Sequence, residues 1–181
     1  MSGEMEQVRE AALGMLNGCG LRLSSAERNS LKVLDYGLGD VRREGLQNIT
    51  LVCTERIEIK IQILLPNQSV PQHVHPPYHG NPGKEETIRV VHGELRLYLD
   101  GADTMRVGVP PAGKEEYYTL RNERVLGAGQ QWTIEPGIEH WFQGGGEGAV
   151  ALSFYTRADN THNSYADPQA SFPTGTPAAG G

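Results

Sequence analysis

The chain has 181 residues, 23 of them glycine and 11 proline, with a formal net charge of −6. That length suits one domain with a full core, and the scattered Lys and Arg form no basic stripe for tracking a nucleic-acid backbone. No apolar run approaches the roughly 20 residues needed to cross a bilayer, and Met1-Ser2-Gly3-Glu4 has neither the basic nor the apolar region of a signal peptide. Cytoplasmic residence is therefore expected, with Cys19 and Cys53 as free thiols.

The first segment reads as a helix. Met5, Val8, Ala12, Met15 and Leu16 recur at helical spacing, and Gly18 and Gly20 stop it. A second short helix is expected to begin at Ser24, since Ser24 and Glu27 stand at capping-box spacing. It should end before Asp35-Tyr36-Gly37-Leu38-Gly39.

From about Asn48 the period changes to two. Ile57, Ile59, Ile61, Ile63 and Leu65 alternate with Glu58, Lys60 and Gln62, which predicts a strand with one apolar core face and one wet face. Further strands are expected near 48–54, 69–75, 86–91, 94–99, 115–120, 123–126, 131–134, 139–144 and 149–156. Turns are expected at Pro66-Asn67, His92-Gly93, Asp100-Gly101, Gly127-Ala128-Gly129, Pro136-Gly137 and Gly144-Gly145-Gly146. Many short strands with regular turn signals imply an all-β sandwich or barrel. Residues 1–46 then form an N-terminal helical arm and 47–168 the barrel. Residues 169–181, rich in Pro, Gly, Ala, Ser and Thr, form a tail too poor in apolar surface to order.

Three of the six histidines fit one site. His73 and His75, two apart on a strand, point to the same face. Glu86 re-enters a strand after a loop rich in Pro and Gly and shares its face with Ile88 and Val90. If that face is the apolar one, the carboxylate is costly there unless paired or metal-bound. His140 follows Pro136-Gly137 and shares its face with Phe142. Three imidazoles and a carboxylate make a mixed N/O site suited to Mn²⁺, Fe²⁺, Zn²⁺, Co²⁺ or Ni²⁺.

Residues 67 to 93 resemble the first cupin motif: Asn67 in the place of its glycine, His73-Val74-His75, a longer gap than usual, Glu86, then Gly93. Residues 129 to 140 resemble the second, with Gly129, Glu135-Pro136-Gly137 and His140, Glu135 standing where a proline is usual. The phrases Leu34-Asp35-Tyr36-Gly37-Leu38-Gly39, His75-Pro76-Pro77, Gly83-Lys84-Glu85-Glu86-Thr87, His140-Trp141-Phe142-Gln143 and Asp167-Pro168 narrow the match. Over residues 25–168 the chain resembles the cupin D-lyxose ketol-isomerases.

The resemblance implies a cupin, a double-stranded β-helix barrel carrying short N-terminal helices. It also implies one divalent metal per chain, with Mn²⁺ the first expectation, held by His73, His75, Glu86 and His140. Lys84 matches the family's lysine two positions before the ligand glutamate and becomes the catalytic candidate. The implied activity interconverts D-lyxose and D-xylulose, or D-mannose and D-fructose, through a cis-enediol. A sugar is then the partner, with no nucleic acid and no membrane, and the chain pairs as a homodimer.

One departure stands out. Those isomerases carry a glutamate on the late strand that would serve as base, and Ser153 falls at its place here, with no carboxylate expected nearby. That absence keeps two alternatives open: a cupin metal-dependent oxygenase and a non-catalytic sugar-binding cupin. Of the remaining residues, His79 reads as a rim residue, His92 as exposed in a turn, and His162 carries no assignment. Trp141 and Gln143 share the outward parity of their strand, and packing or dimer contact is expected of the tryptophan.

Overall fold

The computed structural model describes residues 3–172. Two helices open the chain, α1 (Gly3–Gly18) and α2 (Ser25–Asn29). The expected capping box forms: the Ser24 side chain accepts from the Glu27 N–H, and the Glu27 carboxylate accepts from the Ser24 N–H. Nine strands follow: β1 (Lys32–Leu34), β2 (Leu46–Cys53), β3 (Ile57–Leu64), β4 (Ser69–Val74), β5 (Glu86–Leu99), β6 (Asn122–Gly127), β7 (Gln131–Ile134), β8 (His140–Thr156) and β9 (Ser164–Tyr165).

They make one curled antiparallel sheet, ordered β1-β2-β3-β8-β4-β9, with β5 joined to β8 and carrying β6 and β7 on its far side. The two long strands close the barrel. Residues 149–156 of β8 lie between β3 and the first half of β5, while 140–143 lie between β4 and its second half. This is the cupin barrel.

Sequence reading breaks each long strand in two. His92-Gly93 and Gly144-Gly145-Gly146 are expected turns, yet the chain runs through both in strand. The glycines are there for close approach. A Cβ at Gly93 would lie 2.2 Å from the Gly148 carbonyl oxygen, and one at Gly144 would lie 2.6 Å from that of Leu65. Bulges beside Val90–His92 and Gly93–Leu95 shift the register. They move the inward set from Ile88 and Val90 to Leu95 and Leu97, so both halves of β5 feed one core. At the motif position where Asn67 replaces glycine, φ is +57°, a left-handed conformation that asparagine tolerates better than other side chains.

The expected strand at 115–120 is absent. Glu115–Tyr117 form a 3₁₀ turn instead. The backbone donors of Thr119 and Leu120 bond to the Gln72 side-chain oxygen, at 2.8 and 3.1 Å, and need no strand partner.

The apolar side of β3 faces away from the barrel interior. Ile61 and Ile63 pack with Ile49 and Val150 under Ala12 and Leu16 of α1. The interior core is a separate cluster that includes Leu46, Leu64, Val70, Ile88, Val90, Leu97, Ile134 and Phe142. Glu58, Lys60 and Gln62, which the alternation assigns to water, point inward, and Lys60 and Gln62 line a cavity. Within the expected tail, Ala170 and Phe172 pack against the interior core, and the Ser171 N–H donates to the Tyr36 carbonyl at 2.8 Å. Residues 173–181 lie outside the described ones. Among the described residues no helix is long and apolar enough to cross a membrane.

Candidate metal centre and adjoining cavity

Cross-strand register assembles the centre. His73 on β4 pairs directly with His140 on β8. Glu86, the first residue of β5, is in register with Tyr155 of β8 on one side and Ile134 of β7 on the other. His75 follows β4 by one residue, on the same face as His73. The structure thus brings His73, His75, His140 and Glu86 together, all buried. One ring nitrogen from each histidine lies within 4.8 Å of the others, and Glu86 Oε2 is 3.6 Å from His75 Nε2.

Every imidazole is oriented by an oxygen at Nδ1. His73 Nδ1 meets the Pro71 carbonyl at 2.7 Å, His140 Nδ1 the Ile138 carbonyl at 2.9 Å, and His75 Nδ1 the Asn163 side-chain oxygen at 2.8 Å. Each oxygen fixes a proton on Nδ1 and frees Nε2 as a lone-pair donor. His75 Nε2, His140 Nε2 and Glu86 Oε1 are buried without a hydrogen-bond partner. Buried polar atoms are normally paired, so three orphans pooled in one place, all of them good donors to a borderline cation, fit a divalent metal ion.

The electrostatics agree. Burial, followed by the neighbouring imidazoles, holds His73 well below the ordinary histidine value, and His140 is lowered to about 4, so both rings are neutral and ready to ligate near pH 7. Burial alone would raise Glu86. The adjacent His75, with His140 and Lys84 behind it, outweighs burial and keeps the carboxyl ionised.

A cavity opens on the cluster. Its lining is partly apolar, from Leu34, Leu46, Val70, Phe142, Tyr165 and Phe172, and partly polar, from Asn48, Lys60, Gln62 and Lys84. Lys84 enters from the long 76–85 loop. It is buried, its ammonium lies 4.8 Å from the centre of the Tyr155 ring, and it donates to the Asn160 side-chain oxygen. Burial lowers its pKa to about 8.

Ser153 faces the interior, in register with Lys60 on β3 and Ile88 on β5. The carboxylate not expected nearby is Glu58, one inward position along β3 and in register with Tyr155. It is buried, and its Oε1 lies 3.1 Å from Lys60 Nζ. Sequence reading also missed Asn160 and Asn163, which no motif marks. They sit on and just after the 3₁₀ turn Asn160–His162, and the Tyr78 ring stacks on His162 beside them at 4.0 Å. His79 is an exposed loop residue, and His92 is half-buried at the β5 bulge rather than in a turn. Trp141 does point away from the interior, and its own chain buries it there. Tyr98 stacks on it at 3.7 Å, Tyr118 meets it edge-on, and its indole N–H donates to the Leu120 carbonyl.

No family model matches the chain. Among curated proteins it is 40% identical over 168 residues to the D-lyxose ketol-isomerase of Cohnella laeviribosi, covering 92% of each chain. It is 38% identical over 167 residues to the D-lyxose/D-mannose isomerase of Thermosediminibacter oceani, again over 92% of each. Among solved structures, Cellulomonas parahominis L-ribose isomerase superposes with a TM-score of 0.77, covering 94% of each chain at 14% identity. The L-ribose isomerase of Geodermatophilus obscurus gives 0.70 over 96% of this chain and 90% of that one, at 16% identity. Those two likenesses speak for the fold, and identity near 40% along almost the whole length speaks for the family: the chain belongs to the D-lyxose ketol-isomerases.

Proposed function

We propose that the chain interconverts an aldose and its ketose, D-lyxose and D-xylulose first and D-mannose and D-fructose second. It would do so with one divalent ion, Mn²⁺ by preference, held by His73, His75, Glu86 and His140. The observation that carries this is the trio of unpartnered atoms, His75 Nε2, His140 Nε2 and Glu86 Oε1, gathered beside a cavity with a partly polar lining.

When bound, such an ion supplies Lewis acidity toward neighbouring sugar oxygens. The protein's own groups do the rest. Isomerisation passes the C2 proton to a base within hydrogen-bond reach, goes through a cis-enediol and returns a proton from that base to C1, so a charge develops on the sugar oxygens. Lys84, buried in the cavity wall, stabilises that charge and can hand a proton to the oxygen that carries it. The apolar part of the lining excludes bulk water and strengthens these interactions.

The test is a panel of pentoses and hexoses incubated with Mn²⁺-loaded and metal-stripped protein, with products separated by chromatography. D-Xylulose from D-lyxose in the loaded sample alone is the expected result. No ketose from any aldose in the loaded sample would overturn the reading.

A further inference from the structure

The inward face of β3 does more than complete a barrel, and the role assigned to it here rests on the isomerase function proposed for the chain. Lys60 and Gln62 both line the cavity, and Asn48, the cross-strand partner of Gln62 on β2, lines it beside them. Gln62 is buried and donates its amide hydrogen to the Tyr155 hydroxyl, which leaves its Oε1 buried without a partner. Lys60 directs its ammonium at Glu58, 3.1 Å away, and over the Tyr155 ring at 5.7 Å. An ammonium carries three N–H donors, and the Glu58 contact uses one of them.

The wall therefore presents an acceptor with nothing to accept from and an ammonium with donors to spare, on the cavity that holds the histidine cluster. A sugar hydroxyl is both donor and acceptor, and a row of them satisfies both needs. We propose that Lys60 and Gln62 recognise the hydroxyls of a five- or six-carbon aldose that are not engaged at the histidine cluster, making the β3 wall the specificity-determining side of the site. Glu58 is a positioning residue that holds the Lys60 ammonium against the wall. The serine at 153 fits this arrangement, because a small side chain in register with Lys60 leaves room beside the ammonium.

Two variants test the wall in the Mn²⁺-loaded protein: Gln62→Met, which removes only the amide, and Lys60→Met combined with Glu58→Gln, which leaves no lone buried carboxylate. Metal content, melting temperature, KM and kcat for D-lyxose and D-mannose, and calorimetric binding of both sugars are measured in each. The expected result is wild-type metal content, with KM and the sugar dissociation constant raised at least tenfold, kcat changed much less, and an altered preference between the two sugars. Folded, metal-loaded variants with wild-type KM and sugar affinity would overturn the proposal while leaving the isomerase reading intact. If the double variant does not fold, Gln62→Met decides alone. A wild-type chain that binds aldoses without making ketose would end the isomerase reading, and lost sugar binding in Gln62→Met would still support the wall. A wild-type chain that binds no aldose overturns both.

Discussion

His73 and His140 meet as a cross-strand pair with ring centroids 4.3 Å apart, although they stand far apart in the sequence. The first of the pair comes from the early motif and the second from the late one, so neither half of the chain holds the centre alone. Replacing His140 with alanine removes one orphaned nitrogen and half of that pair. The variant is expected to emerge from desalting without metal while the wild type retains it, as elemental analysis would read. His75→Ala should behave alike.

Asn163 would act on a bound metal at one remove. Its side-chain oxygen accepts from His75 Nδ1 at 2.8 Å and so fixes the ring's tautomer and tilt. Outer partners of this kind are worth about 10–100-fold in metal affinity. Asn163→Ala is expected to weaken Mn²⁺ binding by about that factor in a calorimetric titration, with the far-ultraviolet dichroism unchanged.

In the proposed mechanism Lys84 would separate chemistry from metal binding. Lys84→Ala is expected to keep its metal and lose turnover by about 10²-fold or more, the usual scale for a positioned proton-transfer group. The check is kcat alongside metal content in one preparation. Wild-type kcat would remove this lysine from the mechanism.

Glu123 anchors the loop at 106–108 and the Tyr98 hydroxyl. Burial pushes its carboxyl up, but the N–H groups of Arg106, Gly108 and Val107 and the Tyr98 hydroxyl outweigh burial and hold it below the ordinary 4.5. A carboxyl lowered on folding adds stability that is fully present above its unfolded value and drains away as the pH falls through the folded one. Glu123→Gln is therefore expected to unfold at lower urea than wild type at about pH 6, and the gap should narrow as the pH falls below 4.5.

The residues of the candidate centre were legible because side chains that share a strand face carry the period of that face. His73 and His75 at a spacing of two, and Glu86 in phase with Ile88 and Val90, announce a shared face from sequence. Two kinds of feature were not legible. One is the glycine that serves close approach. Gly93 and Gly144 look like turn formers until the facing backbone is seen, and so β5 and β8 each read as two strands. The other is a polar face turned inward. Glu58, Lys60 and Gln62 alternate with isoleucines as any wet face does. Only closure of the barrel around a polar cavity, with α1 covering the other side, reverses the assignment. The rule that barrels large enough for a ligand have a chemically mixed interior would have raised that question. Asn160 and Asn163 lay beyond any such rule, since their roles depend on where a short irregular segment lands.

The two-sidedness of β3 ties the arm to the cavity. Ile61 and Ile63 are seated by Ala12 and Leu16, and Gln62 between them faces the cavity on the same stiff stretch of backbone. Changes far from the centre, such as an altered residue in the first helix or a tag that levers it off the sheet, would then tilt the opposite side of the strand. With β3 reading the sugar as proposed, preference would become adjustable from outside the barrel, with the histidine cluster untouched.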